Sequence, residues 1–261
     1  MIYRSVGMFA NQRLNIIQQL LLEKKQIDIV TLTSILNVSD VTVRKDLSIL
    51  ESKGFLHKVH GGAVLAEDVS ADQPIVSAED EVLSGIASLA LTLIEDGDSL
   101  FLGQGGGCTV LAKKMSLRSG LTILTNNASA LPFLNVGQNN VLFIGGNVAS
   151  DNGSLYTYGA KAMSCINGLL INKAFICSGC VDIESGLTTN QNLSLGIYEY
   201  IIHTARNITL LATHTEFNKT AMQRLCPLSS LTSVVTDNNI TDQYRDYFFR
   251  QNIKLLTFMD I

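Results

Sequence analysis

"LNVSDVTVRKDLSILESKGFLHKVHGGAV", residues 36–64, changes its period halfway along, and that change decides how the first part of the chain folds. At about 100° per residue, Val43, Leu47 and Leu50 share one narrow sector, so a helix beginning after Ser39 would seat that sector on its own core. Lys45, Ser48 and Val41 fall on the far side, with Thr42 and Arg44 on the flanks. Ser39 offers an N-cap oxygen, and Asp40 sets a negative charge where the first backbone N–H groups are unpaired. Gly54 ends the helix. Beyond it, "FLHKVHGGAVL" alternates as a hairpin does, with Leu56 and Lys58 on one face and Phe55, His57 and Val59 on the other. Gly61-Gly62 falls at the turn.

An apolar inner stripe with a short cationic outer stripe near the helix start is what entry into a DNA major groove requires. Arg44 and Lys45 can neutralise phosphates or bond to guanine edges, while Ser39, Thr42 and Ser48 can bond to phosphate or base. Lys58, His60 and Gly61 on the hairpin would lie along the sugar-phosphate backbone as a wing. Upstream, "NQRLNIIQQLLLEKK" places Leu14, Ile17 and Leu21, with Ile16 and Leu20, at helical spacing. "QIDIVTLTSILNVS" follows as a shorter helix through Ile29, Leu32, Ile35 and Leu36, ended by Asn37, a residue that tolerates the left-handed conformation. Residues 8–64 thus read as a winged helix-turn-helix. A three-helix module that binds another protein, with Arg44 and Lys45 simply solvated, fits the same pattern.

Charge supports the DNA reading weakly. Residues 1–60 carry eight Lys/Arg against five Asp/Glu, while the rest of the 261 residues carry eleven against eighteen. A basic head on an acidic body suits a protein whose head alone meets a polyanion. No apolar run reaches the roughly 18–20 residues of a membrane helix, and the N-terminus lacks the pattern of a signal peptide. Five cysteines without an export signal suggest a reduced, cytoplasmic protein. Cys177 and Cys180 have metal-ligand spacing, but no second CxxC or His pair completes a shell, so ordinary small buried residues are expected there and no metal or cofactor.

Residues 65–80, "LAEDVSADQPIVSAED", read as a linker. In 81–261 short hydrophobic strands alternate with helical segments, which implies an α/β body: a mostly parallel sheet covered on both faces. Three strands end in loops suited to a ligand. "LFLGQGGGCT" holds Gly103, Gln104, Gly105, Gly106, Gly107 and Cys108 ahead of a helix expected near Thr109. "LTILTNN" ends in Thr125, Asn126 and Asn127, and "VLFIGGNV" in Gly145-Gly146. Ligands of open α/β sheets sit at the carboxyl ends of the strands, so these loops converge on one small-molecule pocket. Glycine loops also make plain tight turns. Neither a Walker motif nor a clean GxGxxG is present, so nucleotide binding has no support.

Val38-Ser39, Thr42 to Leu47, Leu50-Glu51, Gly54 and His60 to Ala63 together resemble the N-terminal signature of the DeoR family of bacterial transcription regulators. The body is similar to the family's C-terminal effector domain, whose fold resembles ribose-5-phosphate isomerase, through "GQGGGCT", "LTNN", "GGNV", "KAFICSGCVDIESGLTT" and "NITLLATHTEFNK". The resemblance implies double-stranded operator DNA as one partner and a small effector, such as a phosphorylated sugar, as the other. It implies a repressor and a homo-oligomer, dimer or tetramer. It adds Ser178, Gly179, Thr188, His214 and Lys219 to the effector set.

The chain departs from the family at the pocket. Gly103 replaces an acid, Gly106-Gly107 a hydroxyl pair, Thr213 another acid and Glu216 a lysine. A glutamate beside a phosphate would oppose binding by like-charge repulsion. Lys219 is a candidate replacement, and Lys113, Lys114 and Lys173 are further cations. Two other readings stay open: an isomerase-type enzyme, and a regulator that no longer senses a metabolite.

Overall fold

Three apolar stripes meet in the first of two compact units, Met1–Ser77 and Ala78–Ile261. The computed structural model describes residues 10–52, 54–59, 61–66, 78–151, 153–190 and 192–258. His60 and most of the expected linker lie outside the described residues. In the N-terminal unit, α1 (Ala10–Lys24), α2 (Ile29–Leu36) and α3 (Asp40–Ser52) pack through Ile17, Leu21, Leu32, Leu36, Val43, Leu47 and Leu50. Asp28 caps α2 by accepting the Thr31 N–H at 2.7 Å, and Asn37 ends it at φ 51°. Ser39 Oγ accepts the Thr42 N–H at 3.3 Å, as an N-cap does. At the other end of α3 the Phe55 N–H reaches back to the Leu50 carbonyl over Gly54, whose φ of +72° a side chain would disfavour.

The hairpin differs from its expectation in three ways. Strands β2 (Leu56–Val59) and β3 (Gly62–Leu65) pair Val59 with Gly62, so Gly62 already belongs to the strand rather than to the turn. A third strand, β1 (Gln26–Asp28), joins the other edge of β3. Its approach explains the glycine: a Cβ at 62 would stand 2.4 Å from the Ile27 carbonyl oxygen. Phe55 and Leu56 are both buried, because Phe55 leaves the helix into the core before the strand alternation starts. Ile35, read as an inner residue of α2, is exposed.

Asp46 sits among the apolar residues of α3 at 2 % exposure, and Arg13 of α1 holds it bidentately, Nε to Oδ2 at 2.7 Å and Nη2 to Oδ1 at 3.1 Å. The pair clamps α1 on α3. A carboxylate taken out of water is tolerable only with such a partner.

In the C-terminal unit the strands β4 (Ser99–Leu102), β5 (Thr122–Thr125), β6 (Asn140–Phe143), β9 (Ile171–Ile176), β12 (Ala205–Leu211), β14 (Ser233–Asp237) and β15 (Lys254–Phe258) form one parallel sheet. Its order is β15-β14-β12-β9-β4-β5-β6. Successive residues face opposite sides, as the period of two demands. Leu100, Leu102, Ile123, Phe175, Leu211 and Val235 meet α4 (Ala78–Leu91) and α5 (Gly106–Met115). Phe101, Leu124, Ala174, Ile176, Leu210 and Val234 meet α6 (Ala160–Ile166), α7 (Leu195–Thr204) and α8 (Asp242–Arg250). A hairpin, β7 (Asn147–Asp151) with β8 (Ser154–Tyr158), and a small antiparallel sheet of β10 (Cys180–Asp182), β11 (Gly186–Thr189) and β13 (Gln223–Cys226) complete the unit. Helix α5 starts at Gly106, three residues before the expected Thr109, and Ala128–Phe133, which holds Pro132, is a 3₁₀ helix. Among the described residues no helix is long and apolar enough to cross a membrane.

Arg13→Met leaves the Asp46 carboxylate buried without its cation, and we expect urea unfolding to show a loss of about 3 kcal/mol, the scale for breaking one partner of a buried pair. Gly62→Ala, forced against the Ile27 carbonyl, is expected to lower the melting temperature of the head.

Candidate DNA-reading surface and effector site

The outer face of α3 carries Lys45 and Ser48 as expected, both exposed. Ser39 and Thr42 share their hydroxyls at 2.9 Å, beside the first turn. Two of the cations are already engaged. Arg44 Nε lies 2.9 Å from Asp40, one turn back on the same helix. Lys58 reaches out of β2, away from the hairpin tip where it was expected, to Glu51 at 2.8 Å and to Ser48 Oγ at 3.1 Å. That ammonium therefore stands beside the outer stripe of α3, joining helix and wing into one surface. The Lys58 cation and its backbone N–H hold the Glu51 carboxyl below the ordinary range. Gly61 turns at φ +83° with nothing within 4 Å of the position a Cβ would take.

In the body, strand order reverses between β4 and β9, the place where loops leaving adjacent parallel strands part and open a crevice. The Gly103–Gly107 loop leaves β4 there, and Cys177, Ser178 and Gly179 leave β9. Gly105 takes φ +108° and precedes the first turn of α5, which no side chain caps. A helix start of this kind presents unpaired N–H groups to an anion. Gly103 has a different reason to be glycine. A Cβ there would stand 2.8 Å from the Tyr198 hydroxyl and 3.1 Å from the Phe175 carbonyl, so tyrosine occupies the room an acidic side chain would need.

The asparagines knit the loops together. Asn126 Nδ2 donates to Gln104 Oε1 at 3.0 Å and to the Thr157 carbonyl at 3.2 Å. Asn127 Nδ2 donates to the Gly103 carbonyl and to Thr109 Oγ1, while its Oδ1 accepts the Ala130 N–H. Thr125 Oγ1 donates to the Leu102 carbonyl at 2.6 Å. All three residues are fully buried, so most of their bonding capacity is spent on shaping the site. Among the described residues here, the buried Asn126 Oδ1 lacks a partner, and the buried Tyr198 hydroxyl has no acceptor for its proton. Burial pushes the Tyr198 hydroxyl well above its ordinary pKa, so it is a neutral donor. Gly146 serves packing, since a Cβ there would stand 2.5 Å from the Tyr158 carbonyl; Gly145 faces open space.

The remaining expected residues lie on the loops after β9 and β12 and within β11. Ser178 Oγ donates to the Cys180 carbonyl, Gly179 turns at φ +81°, and Thr188 Oγ1 accepts the Ala221 N–H. The His214 N–H donates to the buried Asp237 at 2.7 Å, and its Nδ1 lies 2.9 Å from the other carboxylate oxygen. Burial raises the Asp237 carboxyl, but the His214 and Asn239 N–H bonds and the imidazole outweigh it, leaving the group below its ordinary value. Asp237, which sequence reasoning missed, thus fixes His214. Glu216 does not stand in the site as a bare charge: it folds back to accept the Thr213 N–H at 2.8 Å, closing a capping box. Lys219 approaches the Val181 carbonyl through its backbone.

Of the other candidate cations, Lys173 is bound to Asp98 at 2.6 Å near the opposite end of the strands, outside the site. Lys113 lies 5.0 Å over the Phe133 ring. The cysteine expectation needs correcting too. Cys177 and Cys180 are half-buried rather than buried, and Cys177 meets Cys108, not Cys180, at 3.6 Å between sulfurs.

Residues 13–69 match the DeoR-like helix-turn-helix domain and residues 83–238 the DeoR C terminal sensor domain. The HTH-type transcriptional regulator IolR of Bacillus subtilis is 28% identical over 239 residues, spanning 90% of this chain and 94% of its own. The lactose phosphotransferase system repressor of Staphylococcus aureus is 32% identical over 244 residues, spanning 87% of this chain and 92% of its own. Among solved structures, ribose 5-phosphate isomerase A from Methanocaldococcus jannaschii covers 54% of this chain and 55% of its own, with 10% identity and a TM-score of 0.38. With both halves matched in order, and relatives alike from end to end, the chain belongs to the DeoR family and is a DNA-binding transcription regulator.

Proposed function

We propose that this regulator represses a carbohydrate-metabolism operon and changes its grip on the operator when a small, sugar-phosphate-like metabolite binds at the β4–β9 crevice. One observation carries the reading: the uncapped start of α5 opens on a glycine loop at the point where strand order reverses. The head reads a half-site through Ser39, Thr42, Arg44, Lys45 and Ser48, with Lys58, His60 and Gly61 on the backbone. The N–H groups of Gly105 to Cys108 take the anion, Tyr198 and Asn126 take hydroxyl groups of the ligand, and Lys219 supplies the cation. A homo-oligomer in the cytoplasm, dimer or tetramer, sets the half-site spacing.

Regulation rather than catalysis is favoured by the chemistry of the loops. Position 103 has no side chain, the Thr213 hydroxyl is held by Thr215 at 2.7 Å, and Glu216 caps its own turn. Among the described residues these three positions thus supply no acid/base pair to move a proton on a bound sugar. A regulator that has stopped sensing is the second reading, supported by the internal hydrogen bonding of Asn126 and Asn127.

Lys58→Ala should weaken binding to every DNA sequence alike and lower the slope of log K against log salt by about 0.9, the loss of one phosphate contact. Arg44→Ala should instead narrow the affinity gap between operator and mismatched DNA by roughly tenfold, the scale of one bidentate base contact. Fluorescence anisotropy at several salt concentrations reads both, and two indifferent variants would refute the assignment of this surface. For the body, a thermal-shift series of sugar phosphates, free sugars and polyols should find a stabilising member, with about 2.7 kcal/mol gained at a hundredfold excess over Kd. Lys219→Ala should diminish the shift for the phosphorylated members alone. A series without any shift would favour the second reading.

A further inference from the structure

We propose that Cys108 and Cys177 are a peroxide-sensitive dithiol whose oxidation to a disulfide ties the first turn of α5 to the end of β9. The two sulfurs lie 3.6 Å apart across the reversal of strand order. Cys108 is the third residue of α5 and fully buried; Cys177 follows β9 directly and is half-buried. The Phe175 carbonyl fixes the Cys108 sulfur from its other side at 3.4 Å. A disulfide needs about 2.0 Å between sulfurs, a closure of roughly 1.6 Å that side-chain rotation and a small loop adjustment can supply.

Two glycines keep the approach open. A Cβ at Gly105 would stand 3.1 Å from the Cys177 Cβ and 3.4 Å from its sulfur, and one at Gly107 would stand 3.2 Å from that sulfur. A side chain at either place would crowd the sulfur and block its path to Cys108. Among the described residues no other pair of cysteine sulfurs is in contact. Cys180, the neighbour that spacing suggests, instead faces the Glu216 and Lys219 charges.

The chemistry divides between the partners by access. The solvent-reached Cys177 thiolate attacks hydrogen peroxide: an S–O bond forms, the O–O bond breaks, and the departing hydroxide leaves as water after taking up a proton. The Cys108 sulfur then attacks the sulfenic sulfur of Cys177. The S–S bond forms, the S–O bond breaks, and hydroxide leaves with the Cys108 proton as a second water. Two thiols and one peroxide thus give one disulfide and two waters, with two electrons passing from sulfur to oxygen. Burial and the neighbouring sulfur hold the Cys108 thiol well above its ordinary pKa, so it keeps its proton during the first step and gives it up only on attacking the sulfenic sulfur.

The cross-link stands apart from the effector reading; its consequence rests on that reading. Tying α5 to β9 pins the Gly103–Gly107 loop, so the oxidised protein should lose most of any ligand-induced rise in Tm.

The test uses the full chain, a small excess of hydrogen peroxide, alkylation with N-ethylmaleimide and unreduced tryptic mapping. Trypsin leaves Cys108 on the peptide 59–113 and both Cys177 and Cys180 on 174–206. The expected result is a link between these peptides that dithiothreitol removes, that persists in Cys180→Ser and that is absent in Cys177→Ser and Cys108→Ser. Cys177, half-buried, is the variant expected to fold normally, with circular dichroism as the check. Peptides that stay unlinked, or a link lost in Cys180→Ser, would overturn the proposal. If the linked protein keeps its full thermal response to a sugar phosphate, the coupling is overturned while the disulfide stands. If the reduced protein responds to no candidate in the series, the effector reading fails instead.

Discussion

The pairing of β4 with β9 is the constraint on which the body depends. Leu100 to Leu102 run beside Lys173 to Phe175 in parallel, and the Gly103 N–H extends the ladder to the Phe175 carbonyl at 2.9 Å. Because β5 and β6 continue on one side and β12, β14 and β15 on the other, the chain must leave these two central strands in opposite senses. A crevice at their carboxyl ends is the geometric result. The glycine loop, the uncapped helix start, the buried Tyr198 hydroxyl and the two facing thiols are all placed by that single adjacency.

The head depends on a different balance. Its core is small, and among the described residues twelve clustered buried apolar side chains share it with one carboxylate. Asp46 costs desolvation that only the Arg13 fork offsets, so the charge acts as a register mark between α1 and α3 rather than as a large net gain. The same helix then carries its remaining polar residues outward. Inner register and outer chemistry are properties of one thirteen-residue segment.

Much of this was legible in the sequence where one period ruled a segment. Val43, Leu47 and Leu50 fixed the face of α3, Asn37 and Gly54 marked helix ends, and each long strand of the parallel sheet stood out as a short apolar run. What escaped notice had no such local signal. Residues 26–28 are a strand because β3 lies alongside, and the exposed faces of β7 erase its alternation. The site was legible as a set of loops but not as a bonding pattern. Nothing local says that Asn126 spends its amide on Gln104, that Asp237 holds His214, or that Cys177 prefers a sulfur sixty-nine positions away to the one three positions away. Such preferences arise only once distant strands are neighbours.

The carboxylates that hold Arg44 and Lys58 give the head a built-in competitor for any polyanion. A phosphate that bound Arg44 or Lys58 would have to displace Asp40 or Glu51, exchanging one ion pair for another rather than neutralising a bare cation. On the proposed reading of this surface, random DNA would gain little by contact, and the chain would leave wrong sequences quickly. Only a duplex whose base edges add bonds beyond that exchange can keep it.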